Sequence, residues 1–231
     1  MDFELCIDSV EEALVAKEFG FKRVELCSGL EVGGLTPSYG LISSCVDVQG
    51  PEVHVMIRPN AGGFVYSNVA FELMQKDIFG VAAAKATGVV FGILSVENRI
   101  DFQKNSALLQ LAKSQNLECT FHRAIDLSAD WSADLEDLIE IGFDRVLTSG
   151  GVSKAIDGID QIAKMKKQAA GRIEIMAGSG VNSDNALKLA GAKVDALHFT
   201  ARKAIAKADN FSFGTDIEID VDKIKEIKKH F

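Results

Sequence analysis

The chain repeats one pattern eight times: a short apolar run, a break rich in Gly, Ser, Pro or Asp, then a longer stretch with helical spacing. The apolar runs fall at residues 3–7, 23–27, 53–57, 89–94, 118–122, 145–148, 173–177 and 196–199. Each is short and bounded by turn residues, as strands are. Between them, Val10, Ala13, Leu14 and Lys17 share one helical stripe, and Ser9 with Glu12 reads as a capping box. The same spacing recurs at Leu108, Leu111 and Ala112, and at Ile156, Ile159, Ile162 and Ala163. Gly20, Gly142 and Gly191 each stand where a helix must stop before the next strand. Strict strand–helix alternation demands a parallel sheet. Eight such units in 231 residues predict closure into a single (β/α)8 TIM barrel over residues 1–231. A doubly wound sheet is the alternative, but it rarely uses eight units so evenly. Residues 206–219 read as the one irregular loop.

Strand side chains alternate between the barrel shaft and the helix layer. With Val24 and Leu26 facing helices, Glu25 and Cys27 point inward. The same parity turns Glu4, Cys6, His54, Met56, Arg58, Thr120, His122, Glu174, Met176, His198 and Thr200 inward. Branched apolar residues usually fill a barrel shaft, so this polar set needs a reason. Near the amino ends of the strands, Glu4, His54 and Glu174 read as an internal ion-pair plug. Near the carboxyl ends, Glu25, Cys27, Arg58, His122, Arg123, Asp126 and His198 converge where barrel enzymes work. The glycine-containing turns Ser149-Gly150 and Gly178-Ser179-Gly180 follow strands six and seven. There, backbone N–H groups can hold an anion. Tight-turn geometry explains the same glycines equally well. Thr36 and Ser38 fit either an active-site loop or a helix cap.

Function classes narrow next. The net charge of −8 argues against a broad nucleic-acid footprint. No apolar run is long enough to span a bilayer. The start Met1-Asp2-Phe3-Glu4 lacks signal-peptide character, so a cytoplasmic protein with reduced cysteines is expected. Of its four cysteines, none forms a CxxC pair. Cys45 and Cys119 fall on helix-side or helical positions, whereas Cys27 and Cys6 lie inward on neighbouring strands.

Several longer phrases occur in one order: Arg23-Val24-Glu25-Leu26-Cys27-Ser28, Gly33-Gly34-Leu35-Thr36-Pro37-Ser38, Val55-Met56-Ile57-Arg58-Pro59 and Thr120-Phe121-His122-Arg123-Ala124-Ile125-Asp126. They continue through Val146-Leu147-Thr148-Ser149-Gly150 and Ile175-Met176-Ala177-Gly178-Ser179-Gly180-Val181 to His198 and Ala201-Arg202. From Cys6 to Arg202 this resembles the CutC family. The resemblance implies a cytoplasmic (β/α)8 barrel, often dimeric, with a role in copper homeostasis. Two stretches depart from the family pattern. Asn60-Ala61-Gly62-Gly63-Phe64 replaces a usual Arg-x-Gly-Asp-Phe, and Ser95-Val96-Glu97-Asn98-Arg99 replaces an acidic-Gly turn.

Two functional expectations stand side by side. Soft ligands favour Cu(I), with Cys27 and Cys6 as ligands and Met56 across from them. Alternatively, the mouth belongs to a lyase or isomerase acting on a small phosphorylated or carboxylated metabolite. In that reading His122 or Glu25 acts as acid or base, tuned by Arg58 and Arg123, and Asp126 orients His122 or Arg123. A third reading is a non-catalytic homodimer formed through Phe64, Tyr66 and Phe71.

Overall fold

The computed structural model describes residues 1–205 and 216–231. Eight parallel strands close in sequence order: β1 (Asp2–Ile7), β2 (Arg23–Leu26), β3 (Glu52–Met56), β4 (Gly88–Phe91), β5 (Glu118–Phe121), β6 (Arg145–Thr148), β7 (Glu174–Gly178) and β8 (Ala196–Phe199). β8 pairs back onto β1, with His198 beside Glu4. The outer ring is α1 (Val10–Glu18), α2 (Tyr39–Asp47), α3 (Asn68–Ala83), α4 (Phe102–Ser114), α5 (Trp131–Ile141), α6 (Ile159–Ala169), α7 (Ala186–Gly191) and α8 (Val221–Lys228). None of the described helices is long and apolar enough to cross a membrane.

Local chemistry sets the helix ends. Ser9 Oγ accepts from Glu12 N, and the Glu12 carboxylate reaches back to Asp8 N at 2.8 Å, closing the capping box one residue early. Ser38 caps α2. Thr36 instead accepts from Arg58 N and ties two loops together. Gly20 and Gly142 take the left-handed conformation expected of them; beyond α7 Lys193, not Gly191, takes it.

The main core lies between barrel and helices, where Leu5, Val24, Val55, Val89, Phe121 and Ile175 are buried. Leu14 and Ala163 are exposed instead, and α6 buries Ile162, Met165 and Ala169. Residues 216–219 correct the loop expectation: they form β10 (Asp216–Ile219), antiparallel to β9 (Arg202–Ile205). The remainder of that expected loop, 206–215, lies outside the described residues. The aromatic contact surface is corrected too. Tyr66 is buried, Phe64 packs on His122, and Phe71 packs partly against the core. The exposed apolar side chains there are Val65, Val69, Leu73 and Phe79.

Candidate functional site at the barrel mouth

The shaft mixes polar side chains with two small apolar clusters, Cys6–Cys27–Met56–Val90 and Leu147–Met176–Ala196, and arginines hold its lower half together. Arg23, 1% exposed, reaches Glu4 at 2.5 Å. Arg145 binds Glu118 at 2.8 Å and Glu174 at 3.1 Å, and approaches His54 at 3.4 Å. The expected plug is therefore two clusters rather than one Glu4–His54–Glu174 unit. Strand parity places both arginines inward, but a charge at a strand start reads as surface. Three glycines make room for the shaft histidines. A Cβ on Gly88 would lie 2.5 Å from the His54 ring, one on Gly92 2.7 Å from His122, and one on Gly178 3.1 Å from His198.

Burial drives the pKa of His54 down to about 3. It does the same to His122, helped by the Arg58 charge. Both rings stay neutral when folded, while the unfolded chain takes up protons near pH 6.5. The unfolded state then binds more protons as pH falls, so stability is lost from about pH 6.5 down toward pH 3. Each ring accounts for about 2 kcal/mol between pH 7 and pH 5. His198 acts with the opposite sign. Burial would lower its pKa, but the Glu25 charge and hydrogen bonds to Cys6 and Glu4 outweigh burial and raise it well above the usual value. Its contribution is full below about pH 6.5 and is lost as pH climbs through the raised pKa. Urea unfolding of the wild type should therefore show a net loss between pH 7 and pH 5, and His54→Gln should lose about 2 kcal/mol less. An identical pH slope in both proteins would contradict this assignment.

At the carboxyl ends of the strands the shaft opens into a cleft of about 540 Å³. Of the expected site residues, Cys6, Glu25, Arg58, His122, Arg123 and His198 line it, as do Ser179 and Gly180. Cys27, Asp126, Ser149, Gly150 and Gly178 do not. Cys27 is 1% exposed under the β2–α2 loop, where a Cβ on Gly34 would sit 2.9 Å from its sulfur.

Two groups of residues result. In the first, His198 Nδ1 bonds Glu4 at 2.8 Å, and its Nε2 is 3.6 Å from Glu25. Burial opposes ionisation of Glu4, but His198 and Arg23 hold its carboxyl well below the usual range. Burial raises the Glu25 pKa. One donor atom each from Cys6, Glu25 and Cys27 lies within 4.8 Å of the other two. Cys6 is raised well above the ordinary thiol value by its hydrogen bond to Cys27 and by burial. For Cys27 the bond to Cys6 favours the thiolate, yet burial and the Glu25 charge push the thiol up to about 11. Met56 and Val90 complete this buried cluster.

In the second group, Ala124 N donates to His122 Nδ1 at 3.2 Å. A neutral ring with Nδ1 accepting carries its hydrogen on Nε2. His122 Nε2 is buried without a partner among the described residues. The ring thus carries a donor at Nε2, the acid side of the acid-or-base role expected of His122. Arg58 donates to the carbonyls of Val32, Gly34 and Gly62, which braces two loops.

Asp126 takes hydrogen bonds from Thr148, Ser149, Gly151 and Arg123. It therefore orients Arg123 and the β6–α6 loop, and makes no hydrogen bond to His122. Gly150 N donates to Thr148 Oγ1. The N–H groups of Ser149 and Gly150 are thus committed within the loop, which removes them from the anion site expected there. Gly178 serves as space for His198 and Leu147.

The family model described as the CutC family matches residues 1–203. The chain belongs to the CutC family. A CutC protein of Glaesserella parasuis is 44% identical over 206 residues, covering 87% of this chain and 83% of that one. One from Bacteroides thetaiotaomicron is 41% identical over 225 residues, with 94% and 90% covered. Among solved structures, a CutC protein from Streptococcus agalactiae, named provisionally for copper homeostasis, superposes with TM-score 0.81 at 33% identity, covering 86% of this chain and 97% of its own. The deoxyribose phosphate aldolase of Aeropyrum pernix, at 18% identity and TM-score 0.63 (86% and 84% covered), shares the fold alone.

Proposed function

We propose that this CutC family member takes part in copper homeostasis by holding Cu(I) between Cys6 and Cys27. The carrying observation is the pair of inward cysteines on neighbouring strands, with donor atoms within 4.8 Å of each other. Metal–thiolate bonds near 2.3 Å place two sulfurs roughly 4.6 Å apart across a linear ion. The thioether of Met56 lies in the same cluster, and soft sulfur donors select Cu(I) over harder divalent ions. Cys6 lines the cleft and gives the ion its way in. All four cysteines are free, as a thiolate site needs, and they stay so in a reducing, cytoplasmic setting. The copper role named for the Streptococcus agalactiae relative supports the same reading.

An anaerobic competition titration against a Cu(I) chelator tests it. Cys6→Ser and Cys27→Ser should each weaken binding by roughly a hundredfold or more, since loss of an outer-shell partner alone costs 10–100-fold. Cys45→Ser, on α2 and outside the cluster, should change nothing. Wild-type affinity in Cys27→Ser would refute the site.

A further inference from the structure

We propose that the cleft also binds a small molecule through a carboxylate or phosphate group, with its oxyanion held by His122 Nε2–H and the loop after β7. The first observation is the orphaned donor. His122 is 4% exposed, its Nε2 has no partner among the described residues, and its ring lines the cleft. A buried N–H is rarely left unpaired unless a ligand or water meets it. The ring is also fixed in place. Ala124 N donates to Nδ1, the Phe64 ring packs tilted against it with centroids 4.6 Å apart, and the missing side chain of Gly92 gives it room.

The second observation is the turn at Ser179, Gly180 and Val181, which lines the same cleft. The β7–β8 register, with Gly178 opposite His198, turns Ser179 N toward His198 O, while among the described residues the backbone N–H groups of Gly180 and Val181 have no acceptor. Ser179 Oγ and the carbonyls of Ser179 and Gly180 are engaged elsewhere, in bonds that fix the turn. Successive free N–H groups in a turn form an anion-binding concavity. Ser149 and Gly150 differ in this respect, because Asp126 and Thr148 already take their N–H groups.

The third observation is charge. Arg58 and Lys223 both line the cleft, and among the described residues neither forms an ion pair with a carboxylate. Arg58 hydrogen-bonds only carbonyl oxygens, lies over the Phe64 ring at 5.3 Å, and leaves its Nε unpartnered among the described residues; Lys223 Nζ bonds Thr200 O. A cleft holding two such cations, a neutral imidazole donor and the two free amides of Gly180 and Val181 is electrostatically complementary to an anion. Its volume suits a small metabolite.

Metal-free protein keeps the test separate from the copper reading. Inorganic phosphate and oxalate are each titrated into uniformly 15N-labelled wild-type protein while the His122 Nε2–H resonance is followed. Saturable movement of that resonance is expected with at least one anion, and the anion that acts separates a phosphate from a carboxylate site. Calorimetry on His122→Phe should show binding weaker by roughly ten- to a hundredfold, the cost of one hydrogen bond to a charged group. His122→Gln, which keeps an N–H donor, should recover part of the loss. No saturable response to either anion overturns the proposal. So does unchanged binding in a folded His122→Phe protein.

Discussion

Replacing Arg23 with methionine should cost about 3–5 kcal/mol of folding free energy, the penalty for breaking a buried ion pair from one side. Arg23 lies inside the shaft at 1% exposure, and its partner Glu4 is fully buried. Methionine fills much of the volume, so the loss is chiefly electrostatic. Glu4 would keep only His198 as a close cationic partner. For a chain of this size, roughly 2–4 °C of Tm is lost per kcal/mol, so the variant should melt about 6–20 °C lower. Lys22→Met supplies the contrast. Its pair with Asp2 is about half exposed on both sides, and such pairs contribute about 0–1 kcal/mol. Urea unfolding of both variants decides the matter. If Arg23→Met falls within about 1 kcal/mol of wild type, the shaft is not held together by its ion pairs.

Gly150→Ala is the second change with a large expected effect, because two costs act together. Gly150 has a φ of +77°, a conformation that costs an L-residue about 1–2 kcal/mol. A Cβ there would also lie 2.4 Å from the carbonyl oxygen of Gly158, a backbone atom with no rotamer to change. Overpacking of this kind costs about 1–3 kcal/mol, giving about 2–5 kcal/mol in all. The loop that must move carries the amides clasping Asp126, and Asp126 holds Arg123 at the cleft. Gly20→Ala isolates the first cost, since Gly20 has a φ of +63° but no atom within 4 Å of its added methyl. Equal denaturant midpoints for the two variants would show that the Gly150–Gly158 approach is unimportant.

The barrel was legible because each βα unit carries its own apolar run and its own stop signal. Parity along the strands was enough to place Cys6, Glu25, Cys27, His54, His122 and His198 inside. It applies equally to Arg23 and Arg145, yet a charge at a strand start looks like ordinary surface until the closed sheet turns it inward. The glycines at 88, 92 and 178 are opaque for a related reason. Their use is to leave space for a histidine on a neighbouring strand, which only the register reveals.

Loop chemistry was the least readable part. Ser149-Gly150 and Ser179-Gly180 look alike in sequence. They differ because Asp126, more than twenty residues away, captures the amides of the first turn and not of the second. His122 reads as an acid or a base alike, and only Ala124 N on its Nδ1 assigns the ring hydrogen to Nε2. The β9–β10 pair left only a weak signature, the alternation of Ile217 and Ile219 in β10, since most of its side chains are exposed.

X-ray absorption at the copper edge, on protein loaded anaerobically with one equivalent of Cu(I), reads out directly whether the ion sits between the two cysteines. The expected first shell is dominated by sulfur, with two thiolates from Cys6 and Cys27, and one sulfur is lost in Cys27→Ser. A shell of nitrogen and oxygen alone, unchanged by Cys27→Ser, would contradict it.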